Sequence, residues 1–112
     1  MKVSVYHDTH PTFGLEKSEA PIEKVADLHL ADATPVETAL SHAFRLTNHV
    51  DEAWNDPAHH PDFLIPAPGP QRSTSVGDIV VVDAKRAFAC ARVGWVEIPF
   101  DVISRRMKGP QP

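Results

Sequence analysis

Four consecutive β-branched residues, Ile79 to Val82, constrain this chain more than any other stretch. Their stiff side chains suit a pleated surface, and an apolar run without alternation indicates a strand buried on both faces. The polar residues 83–85 have the length of a hairpin loop, and the alternating segment 86–93 follows them. A short third strand is expected at 95–98, ended by Pro99, which cannot donate to a ladder. The sequence therefore predicts a hairpin with a third strand at the centre of a small sheet.

The clearest helix signal begins at Thr34, with a proline at the next position and Glu37 three residues after the threonine. In a capping box, the threonine and glutamate side chains each accept a hydrogen bond from a backbone N–H at the helix start. Apolar residues then recur at helical spacing, so we expect a helix over residues 35–47 with Asn48 as a left-handed cap. The apolar stripe is expected to pack on the small-residue face of the second hairpin strand, formed by Ala87, Ala89, Ala91 and Val93.

Two further segments alternate between apolar and polar residues, which predicts strands at 2–6 and 24–30. Five prolines in residues 57–70 argue against regular structure and predict a long loop. The expected fold class is α+β, with a small, mainly antiparallel sheet, one main helix packed on one face and a long proline-rich loop. We expect a single globular domain over residues 1–103 and a flexible C-terminal tail over 104–112.

The composition is that of a soluble globular protein, because 42% of the 112 residues are hydrophobic and 23% are charged. No stretch approaches the ~20 apolar residues of a membrane span, and the first residues lack the apolar core of a signal peptide. The one cysteine, Cys90, excludes an internal disulfide framework and is typical of a reducing cytoplasm. Its place among alanines predicts a small buried hydrophobe. We therefore expect a cytoplasmic protein with no membrane contact.

The net charge of −4 is unevenly distributed along the chain. Residues 1–56 hold four Lys and Arg against ten Asp and Glu, a net of −6, whereas residues 57–112 hold seven against five, a net of +2. Proteins that bind nucleic acid usually carry a basic surplus, so only the second half favours that function. Its candidate residues are Arg86, Arg92, Arg105, Arg106 and Lys108.

The seven histidines raise the hypothesis of a metal site. His7 and His10 are three residues apart, and His59 and His60 are adjacent in the proline-rich segment. Zinc requires about four converging ligands, and the sequence contains neither a CxxC nor an HExxH motif. It also lacks a GxSxG motif, a recognisable pair of catalytic carboxylates and a cysteine with an evident base. We therefore predict no catalytic residue, no metal ligand and no cofactor.

Two polar segments are candidates for a binding site. Residues 72–78 place hydroxyls, an arginine and a glycine before the buried strand. This pattern is typical either of an anion-binding nest or of a turn in which hydroxyls cap backbone groups and Gly77 has a positive φ. The second segment is the helix end at 48–54, where an exposed Trp54 would mark a binding surface and a buried one would belong to the core.

These two segments flank the proline-rich loop, and they form one polar surface if they lie at the same end of the sheet. Arg72 would then either pair with Asp51 or reach a carboxylate or phosphate of a partner. The candidate binding residues are Asn48, Asp51, Trp54, Arg72, Ser73, Thr74 and Ser75.

Two sequences, AFRLTNHVDEAW at residues 43–54 and RSTSVGDIVVVD at residues 72–83, resemble segments of a family of small uncharacterised proteins carried by bacteria, plasmids and phages. The second is also similar to the core of YodL-like domains found in large proteins of mobile elements. The family has no assigned catalytic activity, so the resemblance implies a genetic context and no mechanism. It covers residues 22–98, and the matching positions are Asn48, Asp51, Trp54, Arg72, Ser73, Ser75, Gly77 and Asp78.

These observations favour a small cytoplasmic accessory protein of phage or mobile-element type that acts by binding another macromolecule. The expected partner is another protein, because the chain is small and lacks a catalytic frame. One alternative is a nucleic-acid-binding protein that uses the basic second half. A second alternative is a metal protein or enzyme that uses the histidines. The sequence does not determine the oligomeric state.

Overall fold

The described residues form one antiparallel sheet with a helix on each face. The computed structural model describes residues 1–11, 19–48, 54–55, 61, 63–69 and 71–107. Within these residues the elements are, in chain order, β1 (Lys2–Asp8), β2 (Ile22–His29), α1 (Val36–Leu46), β3 (Leu64–Pro66), β4 (Ile79–Val82), β5 (Arg86–Cys90), β6 (Trp95–Ile98) and α2 (Phe100–Met107). The six strands lie in the order β3-β2-β1-β4-β5-β6, which confirms the predicted α+β class.

The β-branched run forms the predicted central strand. All four residues of β4 are buried, and β4 lies between β1 and β5. The hairpin of β4 and β5 is confirmed, with Val80 opposite Phe88, and β6 pairs with β5 as the third strand. The turn between β4 and β5 places Asp83 and Ala84 in left-handed conformations, with φ of 52° and 54°.

Helix α1 begins at Val36, one residue later than predicted, and without the predicted capping box. The N-cap is Pro35, whose backbone is extended with φ −60° and ψ 143°, and no side chain caps the helix start. Thr34 therefore lies one residue too early for its hydroxyl to reach the first helical N–H groups. The backbone N–H of Thr34 instead donates to Ala31 O at 3.0 Å, in a turn that precedes the helix.

The two helices pack on opposite faces of the sheet, and α1 does not cover the small-residue face as predicted. Ala39, Leu40 and Ala43 of α1 lie in one apolar cluster with Val80 and with valines of β1. The small side chains of β5 point to the other face, where Ile103 of α2 lies in a second cluster with Ile79, Val81 and Ala87. Alternation along β5 gives the reason, because Phe88 faces α1 and its two alanine neighbours must face away.

Helix α2 also corrects the predicted boundary of the C-terminal tail. It continues to Met107, so residues 104–107 are helical rather than the start of a tail. The rest of that predicted tail, residues 108–112, lies outside the described residues.

Part of the proline-rich segment forms regular structure, against the prediction. Strand β3 pairs with β2 through Leu28 opposite Leu64, Asp27 opposite Ile65 and Ala26 opposite Pro66. A proline is compatible with this strand because β3 is at the edge of the sheet and Pro66 is its last residue. Residues 57–60, 62 and 70 of the predicted loop lie outside the described residues.

Candidate functional site

The two segments predicted to form a binding site meet in the structure. We name residues 72–78 the Arg72 turn. Within it, the backbone N–H of Thr74 donates to Thr47 O at 2.9 Å, and the two threonine hydroxyls are 2.6 Å apart. Thr47 is the C-cap of α1, and its hydroxyl also donates to Ala43 O at 2.7 Å. Both threonines are buried, so this junction is an internal contact between the helix end and the turn.

A carboxylate of the chain itself occupies the anion-binding position of the Arg72 turn. Asp78 is 1% exposed and accepts hydrogen bonds from both terminal nitrogens of Arg72, at 2.6 and 2.7 Å. The backbone N–H groups of Ser75 and Asp8 donate to the same carboxylate at 2.8 and 2.9 Å. Gly77 has a φ of +94°, which confirms the predicted turn geometry. The turn therefore folds around an internal anion.

The guanidinium of Arg72 is bound entirely to groups of this chain in the contacts that the structure shows. Besides Asp78, it donates to Asp8 O at 3.2 Å and to Ser73 O at 3.0 Å. The hydrogen bonds to Asp78 raise the pKa of Arg72 above its ordinary value. Asp51, one of its two predicted partners, lies outside the described residues.

The remaining candidate residues also contribute to internal contacts. Trp54 is buried, which is one of the two predicted alternatives, and its indole N–H donates to Arg72 O at 2.9 Å. The hydroxyl of Ser75 lies 3.3 Å from a terminal nitrogen of Arg72. Asn48 donates its side-chain N–H to Phe44 O and thereby caps the end of α1. The predicted left-handed cap is not formed, since the non-glycine residues with positive φ lie elsewhere in the described chain.

His7 of β1 contacts the same turn. Its Nε2 atom lies 2.9 Å from Thr74 Oγ1 and 4.0 Å from Asp78 Oδ2. Burial lowers the pKa of His7 from 6.5 to about 4, against the opposing attraction of Asp78. His7 is therefore neutral at pH 7, and its contact with Asp78 is not an ion pair at that pH.

Helix α2 contributes a second arginine, Arg106, whose side chain is less exposed than that of Arg72. Arg106 Nη2 lies 3.2 Å from Asp8 Oδ2, and Arg106 Nε donates to Ala20 O at 2.8 Å. Only 13% of the Arg106 side chain and 2% of the Asp8 side chain are exposed. The other oxygen of Asp8 accepts from the backbone N–H of His10 at 2.8 Å. We name the following residues the buried polar cluster: His7, Asp8, Arg72, Thr74, Asp78 and Arg106.

The buried polar cluster does not have the geometry of a nucleophilic active site. In a Ser-His-Asp arrangement the hydroxyl and the carboxylate contact different ring nitrogens. Here Thr74 and Asp78 both face Nε2 of His7, and the Thr74 hydroxyl is buried away from any substrate. The two carboxylates and two guanidiniums of the cluster balance in charge. Through the contacts described above, the cluster joins β1, the Arg72 turn and α2.

Four members of this cluster were not predicted as site residues. Asp78 had a local signal, because it is the only acidic residue of the Arg72 turn. His7, Asp8 and Arg106 had no local signal for this cluster, because their partners within it are 64 to 98 positions away in the chain.

Of the two histidine pairs, only His7 and His10 lie in the part of the chain that the structure describes. His59 and His60 lie outside the described residues. Among the residues that are described, no group of three or more His, Cys, Asp and Glu side chains could hold a metal ion. Cys90 is buried as predicted, and its burial raises the pKa of the thiol to about 11.

A second candidate site is an apolar surface at the β6 edge of the sheet. We name four residues the β6 surface: Phe44, Val93, Trp95 and Val96. Val93 is 92% exposed, Val96 53% and Phe44 37%. The Phe44 and Trp95 rings meet edge to face, with centroids 6.3 Å apart and an angle of 83°. These apolar side chains lie on both sides of β6, with Phe44 and Trp95 on the side of α1 and Val96 on the side of α2. Exposed apolar side chains at a strand edge are candidates for an interaction site.

Charged residues border the β6 surface. Arg86 forms two hydrogen bonds of 2.9 Å with Glu97 across the β5–β6 pair. Its guanidinium also lies 5.0 Å from the centroid of the Phe88 ring. The ion pair covers the aromatic side of β6 with polar atoms, and Val96 faces the opposite side of the strand.

Comparison of the chain with models of protein families, with curated proteins and with solved structures found no match. No helix among the described residues is both long and apolar enough to cross a bilayer.

Proposed function

We propose that this chain is a small cytoplasmic accessory protein that acts by binding another protein molecule through the β6 surface. The observation that carries the proposal is the exposure of apolar side chains on both sides of β6, which is an edge strand of the described sheet. A phage or mobile-element context is part of the proposal, and the two segments that resemble proteins of such elements support it.

The organisation of the polar residues supports binding over catalysis. Most of the hydrogen-bonding capacity of the Arg72 turn is used within the chain, by Asp78, Asp8 and Thr47. The turn holds the fold together and leaves the apolar β6 surface for a partner. A protein partner fits such a surface because burial of apolar area drives association.

The positions of the basic residues favour a protein over a nucleic acid as the partner. Arg86 is paired with Glu97, Arg106 lies against Asp8, and Arg105 is 3.9 Å from Asp101. An arginine that is neutralised within the chain releases few counterions on contact with a phosphate. Arg92 is exposed, and Lys108 lies outside the described residues.

A photo-crosslinking amino acid tests the proposal when it is placed at Val96 and, as the matched control, at Ser41. Both positions are exposed, but Ser41 lies on the polar outer side of α1. In cells that produce the chain, we expect a discrete protein adduct from the Val96 probe and none from the Ser41 probe. An equal yield from both positions, or recovery of nucleic acid with the Val96 probe, would refute the proposal.

A further inference from the structure

Four hydrogen-bond donors converge on the carboxylate of Asp78, at distances of 2.6 to 2.9 Å. Two are the terminal nitrogens of Arg72, which bind the two carboxylate oxygens separately, and two are the backbone N–H groups of Ser75 and Asp8. A guanidinium fork beside backbone N–H groups is the donor pattern that proteins use to bind carboxylates. The chain therefore contains a complete oxyanion site whose ligand is one of its own side chains.

The position of the Arg72 guanidinium does not depend on Asp78 alone. The guanidinium also donates to Asp8 O at 3.2 Å and to Ser73 O at 3.0 Å. At the other end of the residue, Arg72 O accepts from the indole N–H of Trp54 at 2.9 Å. Both ends of Arg72 are therefore anchored by contacts that remain when the carboxylate is removed.

The two backbone donors are also held by contacts outside the Asp78 side chain. Asp8 lies in β1, where it pairs with Ile22 of β2. The backbone N–H of Asp78 donates to Ser75 O at 3.0 Å, and Asp78 O accepts from the backbone N–H of Cys90 at 2.9 Å. The main chain of the turn is thus closed by backbone hydrogen bonds, and a site fixed in this way binds a ligand with little ordering cost.

Charge and access both suit a small anion at this place. Without Asp78, the buried polar cluster holds the guanidiniums of Arg72 and Arg106 against a single carboxylate, that of Asp8. His7 is neutral at pH 7 and adds no charge there. An uncompensated charge in a buried place is costly, so an anion that neutralises it is favoured. The Arg72 side chain is 32% exposed, so the site borders solvent.

We propose that the Arg72 turn is a carboxylate-binding site preorganised by the rest of the fold, which binds a free formate ion when the Asp78 carboxylate is removed. In the unmodified chain, Asp78 occupies the site as an intramolecular ligand and excludes other anions. The ligand class follows from the donors, which match a planar oxyanion no larger than a carboxyl group. The site is separate from the β6 surface, so its test is independent of the proposed function.

The Asp78→Ala variant tests the proposal, because formate matches the carboxyl group that this substitution removes. A ligand that binds only the folded chain raises the thermal midpoint with the logarithm of its concentration above the Kd. For a domain of this size we expect about 6 °C for each tenfold increase in sodium formate, with sodium chloride added to hold the ionic strength constant. If the variant is unfolded without formate, the same series should restore its folded circular dichroism signal. Neither a rise nor a recovery would overturn the proposal.

Control variants distinguish binding at this site from a general effect of formate. Asp78→Asn keeps the volume of the side chain and leaves no space for the ion. Glu97→Ala removes a carboxylate from the same two-bond geometry with Arg86, in a pair that is exposed. Neither variant should respond to formate, nor should the unmodified chain or the double variant Arg72→Ala, Asp78→Ala. A response in any of them equal to that of Asp78→Ala would refute binding in the Arg72 turn.

The size of the anion gives a second readout. Acetate carries a methyl group that would overlap with the Cβ atom retained in Asp78→Ala, so it should bind this variant at least about fivefold more weakly than formate. Asp78→Gly removes that Cβ atom too, and acetate should then bind at least as tightly as formate. If formate binds more tightly than acetate by the same factor in both variants, the ion does not occupy the position of the Asp78 carboxylate.

Discussion

Replacement of Arg72 by alanine separates a structural role of this residue from a binding role. The variant leaves the Asp78 carboxylate 1% exposed, with backbone N–H groups as its remaining donors. It also removes the donors to Asp8 O and Ser73 O. Loss of one partner from a buried ion pair costs about 3–5 kcal/mol, because the other charge stays buried. Since 32% of the Arg72 side chain is exposed, water compensates part of this, and we expect about 3 kcal/mol.

Urea denaturation followed by circular dichroism measures this loss. For a domain of this size, about 3 kcal/mol shifts the midpoint by about 2 M with little change in slope. The matched control is Arg86→Ala, which breaks the same two-bond geometry to a carboxylate, Glu97, in a pair whose two side chains are each 49% exposed. Its midpoint should move far less, because exposed ion pairs contribute little. Equal shifts in the two variants, or an unchanged midpoint for Arg72→Ala, would contradict the structural role and leave Arg72 as a binding residue.

Three further outcomes follow from individual residues. The pKa of His7 is about 4 in the folded protein, against an ordinary value of 6.5. Between these two pH values the unfolded chain binds more protons than the folded chain. The unfolding free energy should therefore rise as the pH rises from about 4 to 6.5. His7→Gln should flatten that rise in the unfolding free energy, and an unchanged slope would show that another group causes it. Ala84→Gly should raise the unfolding free energy by about 1 kcal/mol, because alanine is strained at φ 54°. An unfolding free energy below that of the unmodified chain would contradict the turn geometry. Thr34→Ala should leave the denaturation midpoint unchanged, and a loss of about 1 kcal/mol would mean that the hydroxyl caps α1 after all.

The Arg72 turn shows which features of a candidate site the local sequence predicts and which it does not. Its hydroxyls, its glycine and its place before an apolar run favoured either a capped turn or an anion-binding nest, and the structure shows a turn that closes on the Asp78 carboxylate of the chain itself. The identity of the anion depends on how the turn closes, because Asp78 must point back over the turn to receive Arg72. Asp51 was the alternative partner predicted for Arg72. The sequence does not distinguish between acidic residues as partners of Arg72, because it carries no information on the direction of a side chain in a turn.

Strand β2 shows a register effect that alternation did not predict. In the predicted strand 24–30, alternation places Ala26 and Leu28 on the apolar side and Val25 and Asp27 on the polar side, yet Val25 is only 2% exposed. The pairing of β1 and β2 shifts between Val5 and Tyr6, so that Val25 is an extra residue opposite β1. A bulge of this kind changes which face later residues occupy, and it depends on the partner strand.

The sequence by itself determined five of the six described strands and the main helix, because β-branched runs, alternation and helical spacing act through local sterics. It determined neither which face of the sheet each helix covers nor the role of Asp8, a charged residue that local rules place in solvent. Asp8 is buried because Arg106, 98 positions later, folds back to it at 3.2 Å on α2. A buried charge is stable only beside its partner, and only the tertiary structure brings those partners together.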